Sequence, residues 1–268
     1  VAEGVYYPDK GANTIADSEA MSFTLRYNNV QLYGGFAGGE STRDARDWET
    51  HVTILSGDVG NDDTNDDGNF IAETWDHIQG GNADHVLWLD GVTNENITGS
   101  TVIDGFTITA GEADSWSYPH YHGGGLYCHG SGSGNECSPT LTHITFSGNR
   151  ADIHGGGMCN IGTTHGTSSP VLTHVIFDSN QADSGGGGMY NDATIGGISS
   201  PSLSNVTFLN NPAPAGSGGG MFNNGQSSGV SSPILTNVNF YDNRAVHGGA
   251  VQNSGQDGTS SPVLTDVT

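Results

Sequence analysis

Residues 168–180 read SSPVLTHVIFDSN, and near-copies follow at 199–211 (SSPSLSNVTFLNN) and 231–243 (SSPILTNVNFYDN). The prolines at 139, 170, 201, 233 and 262 are 31, 31, 32 and 29 residues apart. Two further residue types keep this period, namely Phe146, Phe177, Phe208 and Phe240, and Asn149, Asn180, Asn211 and Asn243. A period of about 20 to 50 residues is typical of solenoids, propellers and repeat arrays.

Each repeat also carries a glycine run before a short apolar segment. The residues that follow the runs are Leu126, Met158, Met189, Met221 and Val251, and asparagine stands two positions later at Asn160, Asn191, Asn223 and Asn253. Glycine costs about 1 kcal/mol per residue in a helix interior, and the remaining positions are rich in Val, Ile, Thr and Ser, which favour strands. The sequence therefore predicts an all-β repeat.

The length of the unit selects among the all-β architectures. A propeller blade needs four antiparallel strands in about 40 to 45 residues, whereas this unit is shorter and lacks hairpin turns. The leucine-rich pattern is absent, and the glycine runs lack the aspartate of calcium-binding nonapeptides. Three short strands and three corners predict a parallel β-helix, that is, a three-sided β-solenoid with coils of about 31 residues.

In such a solenoid, equivalent side chains lie above one another at steps of about 4.8 Å. Leu172, Val175 and Phe177 are the inward-facing candidates of one coil, and the interval of three between the first two indicates a tight turn at Thr173-His174. We therefore expect Phe to stack on Phe and Asn on Asn, with side-chain amides passing hydrogen bonds along the axis.

The composition restricts the partners. The 268 residues include 43 glycines, and 6 Lys and Arg stand against 29 Asp and Glu, for a net charge of −23. A strongly negative field repels nucleic acids and anionic membranes. The sequence contains neither a membrane-spanning apolar run nor a signal peptide, and its first residues look internal to a longer precursor.

The repeat weakens upstream of about residue 110. We interpret residues 1–110 as irregular N-terminal coils with insertions, including an acidic loop at 58–69, and residues 111–268 as regular coils of one continuous solenoid. The insertion at 39–50, GESTRDARDWET, carries Arg43 and Arg46 among acidic residues. It is predicted to be a salt-linked surface loop or a short helical turn, and not an active site.

The acidic loop is the first candidate for a metal site. Its segment Asp63-Thr-Asn65-Asp66-Asp67-Gly68 matches the first half of an EF-hand loop, although Thr74 stands where the closing glutamate belongs. We predict a calcium site of a looser kind, with candidate ligands Asp62, Asp63, Asn65 and Asp67. The alternative is a flexible acidic loop without a metal.

Histidines and cysteines offer weaker signals. His122 and His154 share one repeat position, and His143 and His174 share another. Stacked imidazoles can bind zinc or copper; however, Asn205, Asn237 and Asp266 also occupy the second position, as at a corner that needs only a small polar residue. Cys128 and Cys137 flank a short loop and form either a local disulfide or two free thiols, which leaves Cys159 unpaired.

Enzymatic activity has little support in the repeats. A uronate lyase needs cations to neutralise the substrate carboxylate, but the regular coils offer only Arg150 and Arg244. A glycoside hydrolase needs two carboxylates about 5 to 9.5 Å apart. Asp152 and Asp183 align in neighbouring coils and are the best candidates for such a pair.

The motifs F-x-x-N, as in Phe177-Asp-Ser-Asn180, and G-G-A-[ILV], as in Gly248-Gly-Ala-Val251, resemble the repeat of the polymorphic outer membrane proteins, the chlamydial adhesins. The resemblance covers residues 123–268, with GGGL or GGGM in the other coils. The stretch 32–58 is similar to the first part of uncharacterised secreted bacterial β-helix proteins. The resemblance implies a right-handed parallel β-helix outside the cell or at its surface and transfers no catalytic residue.

The leading functional hypothesis is a non-enzymatic extracellular β-solenoid that acts as an adhesin or as a surface or fibre component. The alternative is a carbohydrate-active β-helix, either a lyase or hydrolase, or a carbohydrate-binding module. Surface glycans or proteins are the expected partners, as are further copies stacked end to end, because the repeat calls for Phe after Thr268. We define the ridge as the variable loops 161–168, 192–199, 224–231 and 254–258. It is either a binding surface or a set of solvated spacers.

Overall fold

The computed structural model describes residues 1–11 and 14–268 and is built almost entirely of β-strands. Nine strands form the long sheet: Gly4–Tyr6, Gln31–Tyr33, Thr53–Ser56, Val102–Thr109, Thr140–Ser147, Val171–Asp178, Ser202–Leu209, Ile234–Tyr241 and Val263–Val267. Seven form the second sheet: Phe23–Leu25, Leu87–Asp90, Leu126–His129, Met158–Ile161, Met189–Asp192, Met221–Asn224 and Val251–Ser254.

The third side of the coil is less regular. One ladder joins Glu112–Ala113, Arg150–Ala151 and Gln181–Ala182, and another joins Pro212–Ser217 and Arg244–His247. Two short 3-10 helices, Arg43–Ala45 and Trp75–His77, lie in the insertions of the N-terminal coils. No helix of the described residues has the length and apolar character needed to cross a membrane.

Every named ladder is parallel and pairs equivalent positions of successive coils. Leu172 pairs with Leu203, and Phe177 pairs with Phe208, in the long sheet. Met158 pairs with Met189 in the second sheet. The prediction of an all-β parallel β-helix is therefore confirmed, since each coil lays the same residues on those of the coil before.

The corner of the long sheet is sharper than the two-residue turn that we predicted at Thr173-His174. The strand Val171–Asp178 continues through it, and the ladder passes from Thr173–Ser204 to Val175–Val206 without His174. The skipped residues have φ between 49° and 56°: His143, His174, Asn205, Asn237 and Asp266. Asn, Asp and His tolerate this left-handed backbone better than other non-glycine residues. One residue therefore turns the corner, and we call this set the corner column.

The core is a set of stacked columns. Phe146, Phe177, Phe208 and Phe240 stack with centroid separations of 4.8, 4.7 and 4.8 Å and nearly parallel rings. The leucines and methionines of successive coils form further columns beside them. The predicted stacking of Phe on Phe is confirmed, and it measures the rise per coil.

Two columns of asparagine run beside the core, as predicted. Nδ2 of Asn149 donates to Oδ1 of Asn180 at 2.9 Å, and the bond repeats from Asn180 to Asn211 and from Asn211 to Asn243. A second ladder of 2.8 Å bonds runs through Asn160, Asn191, Asn223 and Asn253. It stops where Cys128 replaces asparagine, so Oδ1 of Asn160 is buried without a partner in the described part of the chain.

The Ser-Ser-Pro motif forms a third polar column, which the sequence analysis missed. The hydroxyl of Ser199 donates to the carbonyl of Ser168 at 3.1 Å, and that of Ser231 donates to the carbonyl of Ser199 at 3.0 Å. The second serine of the motif accepts a hydrogen bond instead of donating one. The backbone N–H of Ser200 donates to the hydroxyl of Ser169 at 2.9 Å. Both serines thus satisfy buried polar groups at the corner that precedes each strand of the long sheet.

The long-sheet strand that follows Gly4–Tyr6 along the axis is interrupted. Gln31–Tyr33 pairs with the first half of Val102–Thr109, and Thr53–Ser56 pairs with the second half. The intervening segment 34–52 therefore leaves the coil at the same corner that His143 and His174 occupy further along the axis. This placement puts an insertion over the corner column.

Candidate functional site: a groove at the corner of the long sheet

The segment 34–52 is anchored by Arg46. Its guanidinium donates to the carboxylate of Asp104 and to the carbonyls of Gly34 at 3.0 Å and Asp104 at 3.2 Å. The Arg46 side chain is only 7% exposed, and its guanidinium carbon lies 5.0 Å from the centroid of Trp48. A buried ion pair persists when hydrogen bonds satisfy both partners.

We predicted a salt-linked loop or a short helical turn here. The exposed pair Arg43–Asp44, at 3.0 Å, and the short 3-10 helix fit that prediction. The buried pair at Arg46 goes further, since it fixes the segment against the strand Val102–Thr109. The segment is therefore held in a fixed position against the solenoid surface.

Gly105 leaves space for the side chains of Arg46 and Trp48 at the corner. It stands at the start of the corner column, with φ of +83°, where the later coils have His, Asn or Asp. A Cβ atom on Gly105 would lie 2.6 Å from Nη1 of Arg46 and 3.2 Å from Cβ of Trp48. Glycine at this one coil therefore lets Arg46 and Trp48 lie directly on the corner.

Trp48 extends the corner column with an aromatic ring. Its ring stacks on His143 with a centroid distance of 3.9 Å, and His143 stacks on His174 at 5.2 Å. Nδ1 of His143 lies 3.0 Å from Oδ1 of Asp104, and the amide of Asn205 lies 3.3 Å from Nε2 of His174. A continuous column of rings and amides thus follows the axis along the surface.

A groove of about 550 Å³ lies beside this column. Its floor consists of the outward-facing residues Thr107, Thr145, Ile176 and Thr207, one from each of four successive coils. Trp48, Glu49 and Val52 of the segment 34–52 form its wall. The groove therefore runs along the solenoid axis and presents an equivalent side chain at every coil.

The groove carries little charge of its own. Glu49 is the acidic residue of its lining, and the guanidinium of Arg46 beneath it is buried and paired with Asp104. The chain as a whole has a net charge of −23. A single lining carboxylate does not provide the pair that glycoside hydrolysis needs.

The aligned aspartates Asp152 and Asp183 lie beside the third side of the coil, away from this groove. Oδ1 of Asp152 lies 3.4 Å from Nη2 of Arg150, and Oδ1 of Asp183 accepts a hydrogen bond from Gln181 at 2.9 Å. Burial raises the pKa of Asp152, and the charge of Arg150 opposes that shift. The charges of Asp114 and Asp183 add to the shift in the pKa of Asp152, so the two aligned aspartates lie close enough to interact.

The acidic loop gathers some of the predicted calcium ligands. Carboxylate oxygens of Asp58, Asp62 and Asp63 lie within 4.8 Å of one another. Burial raises the pKa of Asp63 to about 7, and the nearby Asp58 and Asp62 add to the shift. Such crowding of carboxylates is relieved by a bound cation. Asp58 was not among the predicted ligands, although its side chain accepts a hydrogen bond from the backbone of Asp62 at 3.1 Å.

The other two predicted ligands serve the loop itself. Oδ1 of Asn65 accepts from the backbone N–H of Phe70 at 3.0 Å, and Oδ1 of Asp67 accepts from that of Asn69 at 3.1 Å. Asp67 is outside the group of carboxylates formed by Asp58, Asp62 and Asp63. Asn65 lies beside a small cavity that Asp58 and Asp63 also line, so its role as a calcium ligand stays a prediction. The structure brings together Asp62 and Asp63 with Asp58.

The histidine columns are stacked but are not grouped as metal ligands. His122 lies 5.2 Å from His154, which lies 4.1 Å from Tyr190. Burial lowers the pKa values of His85 and His122 to about 3 and that of His154 to about 4. Among the His, Cys, Asp and Glu residues that the structure describes, Asp58, Asp62 and Asp63 form the one group of three whose ligand atoms lie within mutual reach.

These histidines belong to an outer aromatic layer that the sequence analysis missed. The outward positions of the second sheet form a column that loops cover: Trp88, Tyr127, Cys159, Tyr190 and Phe222. Tyr127 and Cys159 have no exposed surface. The strands alone would place this column on the surface, and only the covering loops make it a second core.

The ridge loops are bonded to one another. The backbone N–H of Thr164 donates to the carbonyl of Thr194, and that of Gly196 donates to the carbonyl of Ser227, both at 3.0 Å. Ser227 continues the ladder to Gln256 at 3.0 Å. The ridge thus extends the scaffold outward, and ligand binding by it stays a prediction.

The cysteines near the ridge resolve into one disulfide and one thiol. Cys128 and Cys137 are joined by a disulfide, and Cys159 is free and buried.

Comparison of the chain with protein-family models, curated proteins and solved structures finds no match. The resemblance to the polymorphic outer membrane protein repeat therefore rests on the sequence motifs alone, and function has to be argued from the site.

Proposed function

We propose that the chain is a non-enzymatic extracellular β-solenoid that serves as an adhesin or surface component. The observation that carries the proposal is the use of the repeated polar residues. The side chains of the asparagine and serine columns form hydrogen bonds along the axis. The repeats therefore build a continuous scaffold, and the groove and the ridge remain for contacts with a partner.

The extracellular location is supported by the cysteines. Disulfides persist in oxidising compartments such as the cell exterior, and Cys128 and Cys137 are paired by one. The low number of cationic residues also favours partners other than nucleic acids and anionic membranes.

Two further predictions belong to this proposal. Calcium binding at the acidic loop stays a prediction, with Asp58, Asp62 and Asp63 as its best ligands. End-to-end stacking also stays a prediction, and light scattering over a range of protein concentrations tests it. A particle mass that does not change with concentration contradicts the stacking.

The experiment for the proposed function measures adhesion and turnover in parallel. Microspheres coated with the protein are tested for attachment to glycan-coated and protein-coated surfaces. The protein is also incubated with neutral and anionic polysaccharides, and new reducing ends and unsaturated products are assayed. Adhesion without turnover supports the proposal. Turnover that disappears in Asp152→Ala or Asp183→Ala contradicts it and favours the carbohydrate-active alternative.

A further inference from the structure

We infer that the groove beside the corner column binds a neutral glycan chain that lies along the solenoid axis. This inference rests on the proposed adhesive function, because it names the partner class and the surface that meets it. Small-ligand sites are concave, with apolar surface and a few placed polar groups. A volume of about 550 Å³ is within the range of such sites.

The shape of the groove suits an extended polymer. Its floor is a column of outward side chains from four coils, and the coils rise by about 4.8 Å, as the stacked phenylalanines measure. The backbone N–H and C=O groups of the floor strands are used in the parallel ladders. A peptide therefore has no open strand edge to extend at this place, and recognition depends on side chains.

The side chains of the groove combine apolar and hydroxyl surface. Ile176, Val52 and Trp48 contribute apolar surface to the lining, and Ile176 is 43% exposed. Thr145 and Thr207 flank Ile176 in the neighbouring coils, and each hydroxyl can donate and accept a hydrogen bond. Sugar rings carry both C–H faces and hydroxyl groups, so a glycan matches both kinds of surface.

The charge of the groove favours a neutral glycan over an anionic one. Glu49 contributes a negative charge to the lining, and the one cation below it, Arg46, is held by Asp104. The net charge of −23 adds a repulsive field. The described residues of the groove lining include no lysine or arginine, and its basic side chains are the stacked imidazoles of His143 and His174. Uronate-rich and sulfated glycans therefore meet this repulsion without a lysine or arginine partner in the lining, whereas neutral glycans do not meet it.

The test compares two exposed residues of the same strand. Ile176 lies on the groove floor, whereas Val171 lies before the corner and outside the groove, and the two are 43% and 42% exposed. Affinity electrophoresis and calorimetry would measure binding of soluble β-glucan, mannan and xylan, with polygalacturonate and alginate as anionic counterparts. Ile176→Asp is expected to weaken binding of the preferred neutral glycan by about tenfold or more. Val171→Asp is expected to change it by less than about twofold.

A second pair examines the wall. Trp48→Ala removes the aromatic side of the groove, and Trp116→Ala removes a fully exposed tryptophan elsewhere. Only Trp48→Ala is expected to weaken binding. If Trp48→Ala does not fold, the Ile176 and Val171 pair still decides, and Ile176→Thr, which copies the neighbouring coils, provides a further folded variant.

The outcomes separate this inference from the proposed function. Binding of no neutral glycan, preference for anionic glycans, or equal effects of both members of each pair would overturn the groove inference. Neutral-glycan binding that survives Ile176→Asp and Trp48→Ala would overturn it, while attachment to coated surfaces in the same variants would leave the adhesive function in place. New reducing ends from a bound neutral glycan would overturn the non-enzymatic function while supporting the groove as the binding site.

Discussion

Asn180 donates from Nδ2 to Oδ1 of Asn211 at 3.1 Å, one coil further along the axis. The same nitrogen donates to the carbonyl of Phe146 at 3.0 Å, and Oδ1 of Asn180 accepts from the side chain and the backbone of Asn149. One buried amide thus satisfies groups of three coils. The polar columns hold neighbouring coils in register, while the phenylalanine stack supplies apolar burial.

Replacement of Asn180 by alanine is expected to destabilise the protein by about 2 to 4 kcal/mol, because it removes the acceptor of the buried backbone N–H of Asn149 and the side-chain donor to the carbonyl of Phe146. Urea unfolding followed by circular dichroism measures the effect. Asn94 is exposed, and Asn94→Ala is the control, with an expected change below about 0.5 kcal/mol. Equal midpoints for the two variants would contradict the structural role of the column.

Acid is expected to destabilise the fold through its buried histidines. Burial lowers the pKa values of His85 and His122 to about 3 and that of His154 to about 4, below the usual 6.5. Between these values and pH 6.5, the unfolded chain binds protons that the folded chain does not. Stability is therefore lost as pH falls below about 6.5, by up to about 1.4 kcal/mol per pH unit for each histidine.

Two aspartates oppose this trend. Burial raises the pKa values of Asp63 and Asp84 to about 7, so the folded chain takes up their protons first and gains stability as pH falls from 7 towards 3.8. Melting temperatures measured from pH 7.5 to 4.5 are expected to fall more steeply in Asp84→Asn than in the wild type. His122→Gln is expected to show a shallower fall. Identical pH profiles for all three proteins would refute the assignment.

Calcium is expected to raise the melting temperature if the carboxylates of Asp58, Asp62 and Asp63 bind it. Asp63→Asn should remove the effect of millimolar calcium, whereas Asp67→Asn should retain it, because Asp67 serves the turn of its own loop. Binding should also weaken as pH falls below about 7, since Asp63 must lose its proton. A calcium effect lost in Asp67→Asn alone would favour the EF-hand spacing over the observed cluster.

Reduction of the disulfide between Cys128 and Cys137 is expected to destabilise the fold by about 2 to 3 kcal/mol, because the bridge closes only a short loop. Thermal unfolding with and without a reductant measures this change, and Cys128→Ser/Cys137→Ser serves as the constitutively open form. Cys159 has no exposed surface, and burial raises its pKa. A thiol reagent should therefore label the unreduced protein only after unfolding, and rapid labelling of the folded protein would contradict this burial.

The fold could be predicted because its determinants repeat. Phe177 and Asn180 recur at the coil period, and both stack as their spacing indicates. The groove could not be predicted in the same way, because Trp48 reaches the corner only where Gly105, far away in the sequence, leaves room for it. Tyr127 likewise alternates like a surface residue, and its burial depends on loops whose paths the period does not determine.

The interrupted strand near the N-terminus has a practical consequence. The ladder with Val102–Thr109 survives although the chain departs after Tyr33 and returns only at Thr53. The corner thus accommodates an insertion without loss of the ladder. Each later coil has an equivalent corner, for example between Thr173 and Val175. Loops grafted at the corners of successive coils are therefore expected to emerge in a row with a spacing of about 4.8 Å, the separation of the stacked phenylalanine rings.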